Sequence, residues 1–353
     1  MNRARLAELL SRLAGVRLVV FGDYFLDYYL MLERGLSEVS VETGLEAYQV
    51  TETRKYPGAA GTVVSNLRAL GVNVLALGLR GDDGAGYELH QRLVAAGVDV
   101  RGLLEVPGYA TPTYMKPMMR EPDGRVHELN RMDVKHRQPL EPDLEDALMA
   151  HMGVLLAEAD GMLVVDQVSE RNCGVVTDRM RAELTRLAAA YPEKIISADS
   201  RDFLGLYSGV MLKSNVSEGF RATGIEPEPG ECTTDCAERC GRALHARTGR
   251  PVIITLGCDG LYLFENEACG GCFIPAIPVR GPVDIVGAGD SVHAAVGTAL
   301  CAGATLEEAG LLGNLVASVV IQQIGVTGTA SPRQVLDQFG AHFEALPGEA
   351  GQS

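Results

Sequence analysis

Short apolar runs rich in β-branched residues alternate along this chain with segments whose apolar positions recur at helical spacing. Residues 16–21 read as a strand closed by Gly22. Residues 59–70 read as a helix stopped by Gly71, and 74–79 as the strand that follows. Residues 83–96 form the next helical segment, stopped by Gly97. The rhythm returns with a strand at 162–165, a helix at 174–190, a strand at 194–198, a helix at 233–247 and a strand at 252–256. Such alternation predicts an α/β fold, with a mostly parallel sheet covered by helices on both faces.

Two stretches, 28–54 and 110–130, break the rhythm with strand-like runs and no intervening helix. In the second, 114–120 and 125–130 flank Glu121-Pro122-Asp123-Gly124, where Pro at the second turn position favours a tight reversal. Both stretches belong to the same half of the chain and predict a small β-sheet lid over the main domain's cleft. An externally paired sheet is also a common dimer surface, so a homodimer through the lid is one expectation. Near the other end, Thr305 and Glu308 have the spacing of a capping box ahead of the apolar run 311–324, which Gly325 ends. The chain reads as one domain over 1–345, with a lid from about 24–54 and 108–133 inserted in it and a frayed tail at 346–353.

Composition narrows the partners. The 353 residues hold 31 Lys and Arg against 46 Asp and Glu, a net charge of −15. That balance gains nothing from the counterion release that drives nucleic-acid binding, and it disfavours an anionic membrane surface. The first fifteen residues carry too many charges for a signal-peptide core, and no apolar run reaches the length of a membrane span. A soluble cytoplasmic protein with reduced cysteines is expected. Cys232, Cys236 and Cys240 recur at helical spacing, and Cys269 and Cys272 form a CxxC pair, but the two groups fall in different elements. Packing cysteines explain them better than the four fixed ligands of a zinc site. Gly81 to Gly86 lacks the spacing of a dinucleotide fingerprint.

The segment VDIVGAGDS, 283–291, carries the most chemistry. Gly287, Ala288 and Gly289 lead into a helix, and a small-residue helix N-terminus presents unpaired N–H groups and a positive dipole end to an anion. An aspartate there repels an anion but suits a base that takes a proton beside one. On local sequence alone Asp290 is equally well read as a helix cap. His293, one turn later, reads as a packing histidine.

This segment resembles the C-terminal signature of the ribokinase-like (PfkB) carbohydrate kinases, and further resemblances follow in the same order along the chain. GDYFLDYY at 22–29 is similar to the family's N-terminal substrate segment, and PGAAGTVVSNLRALG at 57–71 to its glycine-rich substrate loop and helix. Asn215 and Glu218 match its Asn-x-x-Glu motif. Thr255, Gly257 and Gly260 match its nucleotide turn, and Asn314 with 325–328 matches the closing helix and loop near the adenine. The likeness spans about residues 16–335. Within the family, GDYFLDYY, the lid strand TPTYMKPMMR, Asp166 and Asp199 look closest to the heptose-7-phosphate kinase branch. That branch often carries a fused nucleotidyltransferase domain, for which this chain is too short.

The resemblance implies an ATP- and Mg²⁺-dependent kinase acting on a hydroxyl of a sugar or sugar phosphate. Asp290 is then the general base, and the Gly287-Ala288-Gly289 backbone an anion hole. Asn215 and Glu218 organise the metal through water, since magnesium sheds its hydration reluctantly. Thr255, Gly257, Gly260 and Asn314 bound the nucleotide pocket. Asp27, Gly58, Ala59, Thr62 and Asp166 contact the sugar, with Asp23 orienting Asp27 or its loop. Lys116 and Arg131 in the lid are candidates to grip a substrate phosphate, or are solvated charges.

Three positions depart from the pattern. Ala59 replaces the second of two adjacent glycines, Thr62 the following asparagine, and Val286 the threonine before the loop. Altered substrate or ion dependence is the expected consequence. Two alternatives stay open: a kinase for a nucleoside or vitamin precursor, and a ligand-binding or regulatory protein on the same fold without phosphotransfer.

Overall fold

In the computed structural model, which describes residues 1–228 and 230–344, the alternation of apolar runs becomes a layered α/β structure. Helix α1 (Arg3–Leu13) leads into β1 (Arg17–Gly22), β2 (Tyr24–Glu33), the short β3 (Glu38–Val39) and β4 (Glu46–Ala47), and β5 (Val50–Ala59). Helix α2 (Ala60–Ala69), β6 (Asn73–Gly81), α3 (Gly84–Ala95) and β7 (Asp99–Val106) follow, then β8 (Thr113–Arg120), β9 (Val126–Glu128) and β10 (Met132–Val134). The second half runs α4 (Pro142–Ala157), β11 (Gly161–Asp166), α5 (Asp178–Ala190), β12 (Ile195–Ser200), β13 (Met211–Asn215), α6 (Val216–Thr223) and α7 (Thr233–Thr248). It closes with β14 (Val252–Thr255), β15 (Gly260–Asn266), β16 (Gly270–Pro275), α8 (Ala288–Cys301), α9 (Leu306–Val320) and α10 (Pro332–Phe343).

The main sheet has the order β16-β15-β14-β13-β12-β11-β1-β6-β7. Its neighbours are parallel from β14 across to β7, and β15 and β16 add an antiparallel edge. Both faces are buried. In β1, Leu18 and Val20 point into one core and Val19 and Phe21 into the other. The first core is closed by α1, α2, α3, α8, α9 and α10, and the second by α4, α5 and α7, with α6 packed at its rim. Such strands read as continuous apolar runs because no side of them meets water.

The lid is a second sheet of order β10-β8-β2-β5, with β9 paired to β8. Strand β2 is antiparallel to β5 and parallel to β8. The reversal expected at 121–124 is present: Gly124 N donates to Glu121 O at 2.8 Å, and Gly124 takes φ 86°. A small apolar knot of Phe25, Tyr114, Val168 and Cys173 joins the lid's base to the loop after β11.

One helix starts later than its pattern predicts. Apolar spacing suggested a start at 174, whereas α5 begins at Asp178 behind the Thr177 cap. The intervening amides are held elsewhere, since Asp23 accepts from Gln167 N, Val168 N and Val175 N at 2.9, 3.2 and 2.9 Å. A carboxylate 144 to 152 residues away in sequence thus outcompetes helix propagation. The expected capping box at Thr305 and Glu308 forms and starts α9. The tail at 346–353, expected to fray, lies outside the described residues. Among those described, no helix is long and apolar enough to cross a membrane.

Candidate active site

Polar residues collect where the parallel strands end. Asp166 closes β11, Asp199 and Ser200 close β12, Lys213 to Asn215 close β13 and Thr255 closes β14. The cleft outside the carboxyl ends of an open parallel sheet is where α/β proteins bind ligands. A cavity of about 620 Å³ lined by Ile195, Met211, Pro251 and Leu306 lies at the opposite ends of these strands, away from this chemistry.

The small-residue loop enters the cleft from the first core's side. Asp284 ties it down: its carboxylate accepts from Val286 N and Gly325 N, both at 3.1 Å, and its own N–H donates to Ile321 O at 2.8 Å. Gly287 sits in the left-handed region at φ 79°, a turn that lets α8 start at Ala288, whose own N–H donates to Ile285 O at 3.2 Å. A Cβ on Gly287 would lie 2.9 Å from the Thr327 methyl and 3.4 Å from that of Thr62. Thr62 therefore stands beside this loop.

Asp290 occupies the first turn of α8, half-buried, with no hydrogen-bond donor to its carboxylate among the described residues. Burial and the neighbouring Asp199 charge push its pKa up to about 7, against the pull of Lys213 and Arg201. A carboxylate poised there can accept a proton near neutral pH. Lys213 was not singled out from the sequence, although a lysine in the buried strand end MLKSN is an unusual signal. Its ammonium lies 2.6 Å from Asp199 Oδ2, and a Cβ on Gly289 would sit 2.9 Å from its Nζ. Burial opposes that charge, but Asp199, with Glu218 and Asp290, overrides burial and holds the pKa above the usual lysine range. His293 is buried behind, bonded to Ser197 Oγ at 3.2 Å, and burial lowers its pKa to about 4. It is a neutral packing group.

Asn215 and Glu218 form a reciprocal capping box at the start of α6. Asn215 Oδ1 accepts from Glu218 N at 2.9 Å, and Glu218 Oε2 from Asn215 N at 2.7 Å. Glu218 Oε1 has no such partner. Burial and the Asp199 charge raise the Glu218 pKa, so the acids Glu218, Asp199 and Asp290 gather around Lys213, with Arg201 and Arg221 further off. That gathering of acids suits a hydrated dication. No group of three His, Cys, Asp or Glu side chains among the described residues is placed to ligate a metal directly.

Thr255, Gly257 and Gly260 fall at the β14–β15 turn, where φ is 61° at Gly257 and 121° at Gly260. A Cβ at Gly260 would come within 2.2 Å of Ile274 O, so only glycine fits that approach. Asn314 donates both amide hydrogens to Ile274 O and Pro275 O at 3.0 and 2.9 Å. Its side chain thus fastens α9 to β16 and shapes the pocket wall, rather than offering those donors to a nucleotide.

On the substrate side, Asp27 lies against Gly58, where a Cβ would sit 2.9 Å from its Cγ. Ala59 holds φ 52° and ψ −114°, a strained conformation for a residue with a Cβ and the physical reason a second glycine is expected there. Asp166 is far more occupied than a ligand-facing acid. Its Oδ2 accepts from Arg181, Ser200 and Tyr207 at 2.9, 2.8 and 2.9 Å, all buried. Lys116 lies 3.2 Å from Asp27 Oδ1 and 3.2 Å from the Tyr29 hydroxyl. Arg131 is bidentate to Asp133 at 2.7 and 2.9 Å and lies 4.3 Å over the Tyr114 ring. The CxxC pair stands exposed on and beside the β15–β16 turn, and all eight cysteines are free thiols.

A family model described as pfkB family carbohydrate kinase matches residues 17–333. The curated protein "Bifunctional protein HldE" of Desulfatibacillum aliphaticivorans is 29% identical over 330 residues, covering 93% of this chain and 64% of that protein. Its namesake from Geobacter sulfurreducens is 28% identical, covering 99% of this chain and 68% of that one. The chain thus spans just under two thirds of the first such relative's length. Among solved structures, Arabidopsis thaliana ribokinase complexed with ribose and ATP superposes with a TM-score of 0.67 at 20% identity, covering 92% of this chain and 98% of that one. Escherichia coli phosphofructokinase-2 in complex with fructose-6-phosphate gives 0.65 at 17%, covering 93% and 99%. At these identities the superpositions speak for a shared fold.

Proposed function

The chain belongs to the pfkB family of carbohydrate kinases, phosphotransferases with a hydroxyl acceptor, and from that premise we propose how its own residues divide the work. The reaction is transfer of the γ-phosphoryl group of ATP to a hydroxyl of a sugar or sugar phosphate. One observation carries the reading: Asp290 stands in the first turn of α8, behind Gly287-Ala288-Gly289, with no hydrogen-bond donor and a pKa near 7.

The substrate hydroxyl gives its proton to the Asp290 carboxylate as its oxygen bonds to the γ-phosphorus. The bond from that phosphorus to the β–γ bridging oxygen breaks, and ADP leaves. The N–H groups of Gly287 and Gly289 meet the negative charge on the phosphoryl oxygens, with the Lys213 ammonium beside Gly289, while the Ala288 N–H is spent on Ile285 O at 3.2 Å. Glu218, with Asn215, would hold Mg²⁺, which would supply positive charge to neutralise the phosphates. Asp27 accepts from sugar hydroxyls, and Gly58 lets the sugar approach the backbone. Thr62, beside the loop, lends a hydroxyl where the family pattern has an amide. The Thr255–Gly260 turn and the wall fastened by Asn314 bound the nucleotide. Val39, Val41 and Leu45 stand exposed on the β3–β4 ribbon of the lid and support docking of a second copy there.

A coupled ADP-release screen over sugars, sugar phosphates and nucleosides tests the reading. Turnover confined to sugars or sugar phosphates is expected, whereas nucleoside turnover or none at all overturns it. Glu218→Gln should raise the magnesium concentration required more than the sugar concentration required. A magnesium titration identical to wild type would remove Glu218 from the metal site.

A further inference from the structure

A large concavity lies outside the chemistry proposed above. The cavity of about 620 Å³ at the starts of β12, β13 and β14 has the volume of a small-molecule site. About 13 Å of β12 separates Ile195 in its wall from Asp199 in the cleft. Ile195 and Met211 lie on the sheet face of the first core, and Pro251 shares that face with Ile253. Opposite them stand Leu300 at the end of α8, Ala304, and Leu306 at the start of α9. Ile195, Leu300, Ala304 and Leu306 pack against the first core but are only partly buried, so apolar surface extends from that core into the cavity.

Four charged side chains also line it: Lys194, Arg250, Glu265 and Glu307. Lys194 is spent, since its ammonium donates to the carbonyls of Leu156, Ala157 and Ala159 at 2.6, 3.1 and 2.8 Å. Arg250 is not. Its Nε donates to Gly209 O at 3.2 Å, while its two terminal nitrogens have no acceptor and no carboxylate partner among the described residues. Its backbone is firmly seated, with N–H donating to Thr248 Oγ1 at 3.2 Å and the carbonyl 2.9 Å from His245 Nδ1. The guanidinium is therefore held in place with its outer edge open. Glu265 and Glu307 line the cavity without pairing to it. Both stand exposed to water, which screens them, and Glu307 lies in the first turn of α9, where the helix's own positive end offsets its charge.

We propose that this cavity is a second ligand site, separate from the kinase cleft, for a small carboxylic acid with an apolar body. The planar fork of Arg250 matches the two oxygens of a carboxylate. The hydrocarbon lies along Ile195, Met211, Leu300 and Leu306, and each methylene it buries strengthens binding about fourfold. A bare anion gains only the first of these contacts and a neutral hydrocarbon only the second, so the two together select the acid. The site lies at the opposite ends of the strands from Asp199 and Lys213, so a ligand there leaves the nucleotide's place free.

The test measures binding of butyrate, hexanoate and octanoate by calorimetry, with octanamide as the neutral partner and inorganic phosphate as the bare anion. Methyl NMR signals of Ile195, Met211, Leu300 and Leu306 locate the bound acid, with and without ATP. Wild type is compared with Arg250→Gln, Arg250→Ala and Ala304→Met, each checked for native circular dichroism. Affinity should climb from butyrate to octanoate, and octanoate should bind about 10-fold or more tighter than octanamide, the worth of a charged hydrogen bond. Both Arg250 variants should erase that difference and leave octanamide unchanged. Ala304→Met, which fills the cavity, should weaken octanoate and octanamide alike. ATP should change none of these affinities. Octanoate bound no tighter than octanamide, or a preference that survives both Arg250 variants, overturns the proposal. So does displacement of octanoate by ATP, which puts the acid in the cleft, and so do methyl shifts confined to residues outside the cavity. Inorganic phosphate bound as tightly as octanoate makes this a bare anion site and overturns the apolar acid. If octanoate shows no saturable binding, the site falls, and the kinase reading stands untouched.

Discussion

Asp166 and Asp290 are two acids at the same end of the same sheet, and burial raises the pKa of both. Asp166 is given a guanidinium and two hydroxyls within 2.9 Å. Asp290 is given none, and its nearest charged neighbours largely oppose one another. An acid supplied with donors is held in one place and one ionisation state, which suits a structural post. An acid denied them stays ready to take a proton, which suits a base. The distribution of donors separates the two roles.

The comparison can be broken first at its reactive end. Asp290→Asn should lower kcat by about 10²- to 10⁴-fold, the usual worth of a general base, with ATP and sugar binding largely kept. The same change should stabilise the fold at pH 8. The folded pKa near 7 lies above the unfolded 3.8, so the stability linked to this group is complete below about pH 4 and lost as pH rises through 7. Asparagine removes that loss, and a Tm on the order of 1–4 °C higher than wild type is expected by calorimetry. Near-wild-type turnover in the variant would return Asp290 to the role of a cap.

At the structural end, Asp166→Ala takes from the buried Arg181 its buried partner and leaves it only the more exposed Asp178 at 2.9 Å. Breaking such a pair costs about 3–5 kcal/mol, to be seen in denaturant unfolding. Should the variant instead unfold like wild type yet show a raised sugar KM, Asp166 belongs to the substrate side after all.

The charge around Asp290 gives a subtler handle. Activity that needs its ionised form should rise with pH through about 7 in kcat/KM and level off above. Lys213→Met removes a cation that lowers this pKa, so the rising limb should move to higher pH, and an unmoved limb would separate Lys213 from the base. The smallest effect is conformational. Ala59→Gly relieves a φ of 52° and should stabilise the protein by about 1 kcal/mol against thermal unfolding, net of glycine's greater freedom in the unfolded chain. A destabilised variant would mean that the Ala59 methyl earns more by packing than it costs in strain.

Much was legible in the chain before any coordinates. The alternation of apolar runs determined the parallel sheet and its two helical layers, because a strand buried on both faces must be apolar throughout. The turn at 121–124 and the Thr305–Glu308 cap followed from local chemistry, since such residues hydrogen-bond within four positions of themselves. Gly287-Ala288-Gly289 ahead of Asp290 marked the reactive end for the same reason. What the chain could not disclose was which charges meet. Lys213 finds Asp199 14 residues away, Lys116 finds Asp27 across two lid strands, and Asp23 restrains a loop some 150 residues on. Those pairings turned Lys116 toward Asp27 and surrounded Asp166 with donors. Periodicity records only which face of an element meets water. The partner of a buried charge is set by how the elements pack, and only the tertiary structure decides that.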